Sequence, residues 1–258
     1  MKRLIETIKN IFKIEELRKR ILFTLSLILV YRFGSFVVIP GINPEALTDL
    51  QSQVSGNGLL GLLNIFSGGA FSNASIFALG IMPYISASIV IQLLGIVVPY
   101  FQKLQKEGES GRRKINQWTR YLTIIVLLLQ APAYLANLHG TLQPYAFVLG
   151  PSSVLFTVSA TIVLIAGTMF VMWLGEKITD KGIGNGVSLI IMVGIIARLP
   201  QALLVEFNMR WAEAVGGMVM LVVEIVILYL VFMATISVLQ AVRKVPVQYA
   251  KRIVGNKQ

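Results

Sequence analysis

Residues 215–239 have the sequence VGGMVMLVVEIVILYLVFMATISVL, an apolar run interrupted by a single charged residue, Glu224. A helix of about twenty apolar residues crosses a hydrocarbon core ~30 Å thick, so this run predicts a membrane-spanning helix. Five earlier runs have a similar length and character: 21–40, 74–98, 121–138, 153–174 and 185–204. The sequence therefore predicts an all-α protein, a polytopic membrane bundle of six transmembrane helices.

The amino-acid composition excludes several classes of protein. Apolar residues make up 55% of the chain, charged residues 14%, and the mean hydropathy is +0.75. A soluble domain carries roughly 25% charged residues, so a water-soluble protein is excluded. The chain has no cysteine, and His139 stands alone in a predicted outer segment, which excludes disulfides, a thiol nucleophile and a histidine-rich metal site. Hydrolase and phosphate-loop motifs do not occur, so we expect neither an enzyme nor a cofactor.

The basic residues predict how the chain is oriented in the membrane. All of the 23 Lys and Arg residues except Arg32, Arg198 and Arg210 lie before the first run or after the second, fourth or sixth. This is the positive-inside pattern of a protein with both ends in the cytoplasm. The net charge of +11 is explained mostly by contact with anionic lipids, and a polyanionic ribosome also fits it.

Two segments outside the long runs carry patterns of their own. Residues 1–20 place apolar side chains among charges at helical spacing, which predicts a cytosolic amphipathic segment on the membrane surface. The apolar stretch 59–66 is flanked by glycines and reaches only ~12 Å as a helix. It predicts a short re-entrant helix, which a membrane tolerates where protein or a water-filled cavity surrounds it. An interfacial loop helix remains the alternative.

Polar residues inside membrane spans are the default functional candidates. They are Arg32, Ser86, Ser88, Gln92, Gln130 and Glu224. Arg32 lies in the outer half of its run, where snorkelling to the interface is the common outcome, and Glu224 has no obvious cation opposite it.

Two apolar pairs, Ile81 with Ile85 and Val187 with Ile191, are each one helical turn apart and share a face. Such faces usually contact lipid, as we expect for their neighbour Ile91.

Several strings resemble the SecY family of bacterial protein-conducting channels over nearly the whole chain. They are NIFSGGA at 64–70, SIFALGIMPYISASI at 75–89, KEGESGRRK at 106–114, GTMFVMWLG at 167–175, GIGNG at 182–186 and PVQYAKR at 246–252. The resemblance is specific in order and spacing. It implies a fold of two pseudo-symmetric halves, of which this sequence covers the first half and the sixth span.

The resemblance also implies roles for particular residues. The apolar pore ring would comprise Ile81, Ile85, Val187 and Ile191. The plug, residues 57–72, would include Leu59, Leu60, Leu63, Asn64, Phe66, Ser67, Gly68 and Gly69. The lateral gate would include Ser86, Gln92 and Gln130. The cytosolic loops that meet the ribosome or a motor would carry Arg112, Arg113, Lys114, Arg243, Lys244, Lys251 and Arg252.

The function implied is that of the central pore subunit of the general secretion channel in the bacterial inner (plasma) membrane. Its implied partners are the small membrane subunits SecE and SecG, the SecA motor ATPase, the ribosome, signal sequences of nascent chains and anionic lipids. Residues 21–204 would form the five-helix first-half bundle, and 205–258 the sixth span with the start of a basic loop. A secondary transporter is the alternative, but it would need ionisable residues at mid-membrane, and the candidate pore face is aliphatic.

Overall fold

The computed structural model describes residues 13–56, 58–148, 150, 153–212 and 217–242. Within these ranges the chain is helical, and its only extended pairings are two isolated bridges, Val38 with Ser75 and Ile42 with Phe147. The predicted all-α fold is therefore confirmed. The predicted amphipathic segment before residue 13 lies outside the described residues.

The helices follow one another along the chain with short connections. They are α1 Glu15–Gly34, α2 Leu47–Gly56, α3 Gly58–Phe66, α4 Met82–Val97, α5 Pro99–Lys106, α6 Glu109–Thr141, α7 Val154–Lys181, α8 Gly186–Ala212 and α9 Gly217–Gln240. Two 3₁₀ turns, Pro44–Ala46 and Pro144–Ala146, precede α2 and α7.

Helices α6, α7, α8 and α9 are each long and apolar enough to cross a membrane. Helices α4 and α5 make a fifth candidate if the bent pair counts as one span, since their axes differ by 98°. The polytopic bundle is confirmed, and among the described residues four helices, or five with the bent pair, pass this test of length and hydropathy. The first predicted run lies in a helix that starts at Glu15 and ends at Gly34. The first turns of this helix are charged, so its apolar part is short.

The second predicted span, 74–98, is helical only from Met82. The residues before it form turns. Pro83 lies in the first helical turn, where a backbone N–H would have no partner within the helix, so proline is tolerated there. Val98 is extended because the following Pro99 disfavours helical geometry in the residue before it, and the chain bends at this point. Prolines thus set both ends of α4.

The chain divides into two compact units, residues 1–200 and 201–258. In the first unit α6 packs on α4, α5 and α7, and α1 packs on α7. One apolar cluster forms around Leu50, Leu135 and Phe156. The second, which we call the Tyr31 cluster, comprises buried Tyr31, Ala70, Phe77, Ile81, Val171, Leu174, Ile178 and Ile190.

The second unit contains the end of α8 together with α9. The apolar side chains of α9 are exposed around its circumference, as lipid or another membrane helix would require. Glu224 accepts a hydrogen bond from Arg210 Nη2 at 2.6 Å, and Arg210 Nε also contacts Glu206 at 2.8 Å. The expectation that Glu224 lacks a cation was therefore wrong, because Arg210 reaches it from the preceding helix.

Candidate functional site

The predicted plug contains a short helix followed by a series of turns. Helix α3 covers Gly58–Phe66, and Leu60 and Leu63 pack against the cluster around Leu135. Leu62 and Phe66 point away from it and are exposed. The side chain of Leu59 lies outside the described residues. We call residues 57–72 the plug segment.

Three buried polar side chains, two of its own and one from α6, bind the backbone of the plug segment. Asn64 Oδ1 accepts from the Ser72 amide at 3.1 Å, and Ser67 Oγ accepts from the Phe71 amide at 3.1 Å. Tyr134 of α6 donates its hydroxyl to the Phe71 carbonyl at 2.9 Å. Backbone groups buried away from water need hydrogen-bond partners inside the protein, and these side chains supply them.

Adjacent glycines allow the plug segment to approach α8 closely. Gly68 and Gly69 have φ values of 65° and 93°, in the left-handed region that favours glycine. A Cβ atom at Gly68 would lie 2.9 Å from the Cα atom of Gly194 in α8. A Cβ at Gly194 would in turn lie 3.1 Å from the Phe66 carbonyl oxygen. Backbone therefore packs on backbone here.

Two arginines bind the same turn. Arg32 Nη1 donates to the Gly68 carbonyl at 2.7 Å, so Arg32 does not simply snorkel to the interface as the sequence suggested. Arg198 Nη2 donates to Ser72 Oγ at 2.9 Å. Arg198, which hydropathy placed at the outer end of a span, is half-buried at this contact.

The four predicted ring residues belong to one apolar cluster. Ile81 is buried in the Tyr31 cluster, while Ile85, Val187 and Ile191 are partly buried against it. Ala70 of the plug segment is a buried member of the same cluster. The structure thus brings the starts of α4 and α8 together with the plug segment.

Ile91 does not face lipid as expected, because its side chain is only 4% exposed. It shares a buried stripe of α4 with Ala87 and Gly95, at four-residue spacing. Helix α6 packs against α4, and Gly95 in the stripe leaves room for the side chain of Gln105 in α5.

Two of the three predicted gate residues share a cavity. Ser86 of α4 and Gln130 of α6 line a space of about 310 Å³ together with Leu60 and Leu63 of the plug segment. Gln92 does not line this cavity; its side-chain amide donates to Ser88 Oγ at 3.2 Å.

Sequence reasoning missed two other residues of the cavity wall, Tyr134 and Asn137. With Gln130 they occupy positions i, i+4 and i+7 of α6, a spacing that places them on one helix face and could have revealed them. Asn137 Oδ1 is buried and has no hydrogen-bond partner among the described residues. The cavity wall is therefore apolar with a small polar stripe.

The predicted cytosolic contacts differ from the expectation in form. Arg112, Arg113 and Lys114 lie in the first turns of α6 rather than in a loop, and all are exposed. Arg113 pairs with Glu109 at 2.8 Å. Arg243, Lys244, Lys251 and Arg252 lie outside the described residues.

The predicted position of His139 in an outer segment was also wrong. His139 lies in the last turn of α6, with its ring 4.7 Å from that of Phe147.

Comparison with known proteins decides the family. The SecY family profile matches residues 75–258, more than half of the chain. The chain belongs to the SecY family. It is 46% identical over 254 residues to protein translocase subunit SecY of Halalkalibacterium halodurans, a match that covers 96% of this chain and 57% of the relative.

Two further SecY relatives show the same pattern. Protein translocase subunit SecY of Streptomyces coelicolor is 45% identical over 257 residues, covering 95% of this chain and 57% of the relative. The subunit from Escherichia coli K12 is 44% identical over 242 residues, covering 94% and 54%. The chain thus spans slightly more than half the length of these SecY relatives. SecY membership and the apolar helices make it a multi-pass membrane protein, and the transporter alternative is not favoured.

Proposed function

We propose that residues 1–258 form the plug-bearing half of the pore subunit of the general protein-secretion channel. Unfolded polypeptides would cross the membrane through this pore, and signal or membrane segments would leave it sideways into lipid. The channel itself is passive, and a ribosome or motor ATPase drives the chain through it. Family membership and the contact between the plug segment and the predicted ring support this proposal.

The observation that carries the proposal is the shared cluster of Ala70, Ile81, Ile85, Val187 and Ile191. Branched aliphatic side chains offer water no hydrogen bonds, so a narrow ring of them dewets and blocks ions. The plug segment covers the same apolar surface and reinforces that seal. A passing polypeptide touches only apolar side chains. The ring widens around the polypeptide without binding particular side chains of it.

The cavity beside the ring fits the role of a lateral gate. Ser86 and Gln130 supply polar groups in a wall otherwise formed by side chains such as Leu60 and Leu63. A signal sequence is an apolar helix, and it would displace these leucines as it enters. We retain Gln92 as a gate residue on the resemblance alone, since it faces outward elsewhere on α4.

The proposed partners follow from the family. SecE and SecG would cover membrane-facing helices, while SecA or the ribosome would bind the exposed basic turn at Arg112, Arg113 and Lys114. Arg243, Lys244, Lys251 and Arg252 would extend that basic surface, and anionic lipids would contact it at its edges. We place the protein in the bacterial inner membrane with both termini in the cytoplasm.

A reconstitution experiment tests the proposal. A chimera of residues 1–258 followed by the second half of the Halalkalibacterium halodurans relative, which we call the complete channel, is placed in proteoliposomes with that organism's SecE, SecG and SecA. We expect a preprotein to become protected from protease when ATP is added. Protection equal to that in liposomes without the channel would contradict the function.

Orientation is tested by single cysteines, because the native chain has none. Cysteine at Tyr145 or Asn208, both exposed, should react with an impermeant thiol reagent added to intact cells. Cysteine at Ser110, also exposed, should react only after the cells are opened. Labelling of the Ser110 position in intact cells would overturn the proposed topology.

The close contact at Gly194 predicts a leaky variant. Gly194→Val places a branched side chain against the Phe66 carbonyl and Gly68 amide, and overpacking of this kind costs about 1–3 kcal/mol. We expect the plug segment to shift and resting ion conductance of the complete channel to rise about tenfold. Gly140→Val is the matched control, since nothing lies within 4 Å of a Cβ there. Equal conductance of the two variants would show that this contact does not hold the plug segment.

A further inference from the structure

Two charged side chains reach the plug segment from helices that are distant in sequence. Arg32 comes from α1 and Arg198 from α8, and neither lines the ring or the cavity described above. Charged residues inside membrane spans are costly to keep there and therefore mark functional positions. Both arginines direct a donor at one short turn, residues 68–72.

The two contacts lie at opposite ends of that turn. Arg32 binds the carbonyl of Gly68 at 2.7 Å, and Arg198 binds the hydroxyl of Ser72 at 2.9 Å. The Arg198 guanidinium also packs on Gly69, where a Cβ atom would lie 2.8 Å from its Nε. Ser72 is fully buried, and its hydroxyl donates a hydrogen bond to the Gly69 carbonyl at 3.2 Å. The turn is thus held from two directions.

The chemistry of these contacts makes them strong hydrogen bonds that can still be released. Neither Arg32 nor Arg198 forms an ion pair within the part of the chain that the structure describes, and both acceptors are neutral oxygens. A hydrogen bond from a charged donor is stronger than one between neutral groups. Two like charges held against neighbouring residues also repel each other, which favours release.

Because of the position of the turn, these contacts restrain movement of the plug segment. Residues 67–81 connect helix α3 to α4 and include Ala70, so the plug segment can leave the ring only if this connection rearranges. Gly68 and Gly69 provide the conformational freedom for that movement. The arginines therefore bind the pivot of the plug segment, while leaving the exposed face of α3 free.

We propose that Arg32 and Arg198 form a clamp that keeps the plug segment closed, and that opening requires the release of Gly68 and Ser72. This inference rests on the proposed channel function and assigns two positioning residues to its resting state. In the Ser72 contact both hydrogen-bond partners are side chains. Each can therefore be replaced separately, and the coupling between them can be measured.

The test measures resting ion conductance of the complete channel in planar bilayers. Arg32→Met and Arg198→Met keep the side-chain length but remove the donors, and each should raise resting conductance about tenfold. The two together should raise it further, but by less than the product of the single effects, because both arginines bind one turn and repel each other. Arg198→Lys, which keeps a charged donor, should remain closer to the unmodified channel.

Coupling to Ser72 separates a clamp from a general loss of stability. Ser72→Ala should leak like Arg198→Met, and the pair combined should leak no more than the stronger single variant. Effects that multiply in the combined variant would overturn the proposed contact. If the Arg198→Met channel does not assemble, the clamp is tested with the Ser72→Ala channel alone. Resting conductance of that channel at background would refute the clamp.

Arg210→Met is the matched control, because Arg210 binds Glu206 and Glu224 within the second compact unit. It should leave resting conductance at background, and a leak equal to that of the clamp variants would count against the clamp. Failure of the proposed function has a different signature. An unmodified channel that neither closes nor protects a preprotein would contradict the function, whereas a tight, active channel with tight clamp variants would contradict only the clamp.

Discussion

Replacing Ile81 and Ile85 together by asparagine should make the complete channel leak ions at rest. Each isoleucine that loses its apolar contacts gives up about 1.5–3 kcal/mol. Two such losses should favour the wetted, open constriction by about a hundredfold or more. The Val187→Asn, Ile191→Asn pair on α8 should have the same effect, because these residues join the same apolar cluster.

The control for this experiment must come from the opposite face of α4. Val90 is half-exposed and lies half a turn away from Ile81 around the helix, whereas Ile91 is buried against neighbouring helices and is unsuitable. Val90→Asn should lower thermal stability without raising conductance. A channel that stays tight with both ring pairs replaced, but leaks with Val90→Asn, would show that the wrong face has been assigned to the pore.

Residues 1–258 without a second half should not translocate protein. Ile85, Val187 and Ile191 are covered only in part by the described residues, so the apolar face is open on one side. Ser86 and Gln130 are exposed and would meet lipid, which offers them no hydrogen bonds. We expect protease protection of a preprotein to fall to the level of empty liposomes.

Adding the second half of the relative as a separate polypeptide should restore at least part of that activity, since helix packing does not require a covalent link between halves. The control is the second half alone, which should be inactive. Translocation by residues 1–258 alone at the rate of the complete channel would contradict this prediction.

Hydropathy predicted the later helices well, because their boundaries are set by changes in composition. The runs at 153–174, 185–204 and 215–239 begin close to the first residues of α7, α8 and α9. Helix α7 continues to Lys181 because residues such as Glu176 and Lys177 favour helix without being apolar. The family was recognisable from short strings such as SIFALGIMPYISASI, and the comparison confirmed the family.

Hydropathy failed where apolar side chains lie on non-helical backbone. Residues 74–81 continue an apolar run, yet their amides and carbonyls bond to other segments, as when the Ile76 amide donates to the Val37 carbonyl at 2.9 Å. Only the positions of Gly80 and Pro83 indicated a late helix start. Helix α2 was not predicted, since a polar sequence such as LTDLQSQVSG carries little hydropathy signal.

The site was predictable in part. Spacing placed Ile81 with Ile85, and Val187 with Ile191, but only the resemblance suggested that the two pairs meet. The contacts of Arg32 and Arg198 with the plug segment could not be predicted, because they depend on how a turn without regular structure lies between two helices. A long polar side chain at a span's end usually reaches the interface, and tertiary packing decided otherwise here.

Site-specific photocrosslinking tests the central claim most directly. A photoreactive amino acid is placed at Ile85, Val187 or Val90 of the complete channel, and a preprotein is stalled halfway by a folded domain at its end. The account predicts crosslinks to the stalled chain from Ile85 and Val187, and none from Val90. Crosslinks from Val90 with none from the two ring positions would contradict it.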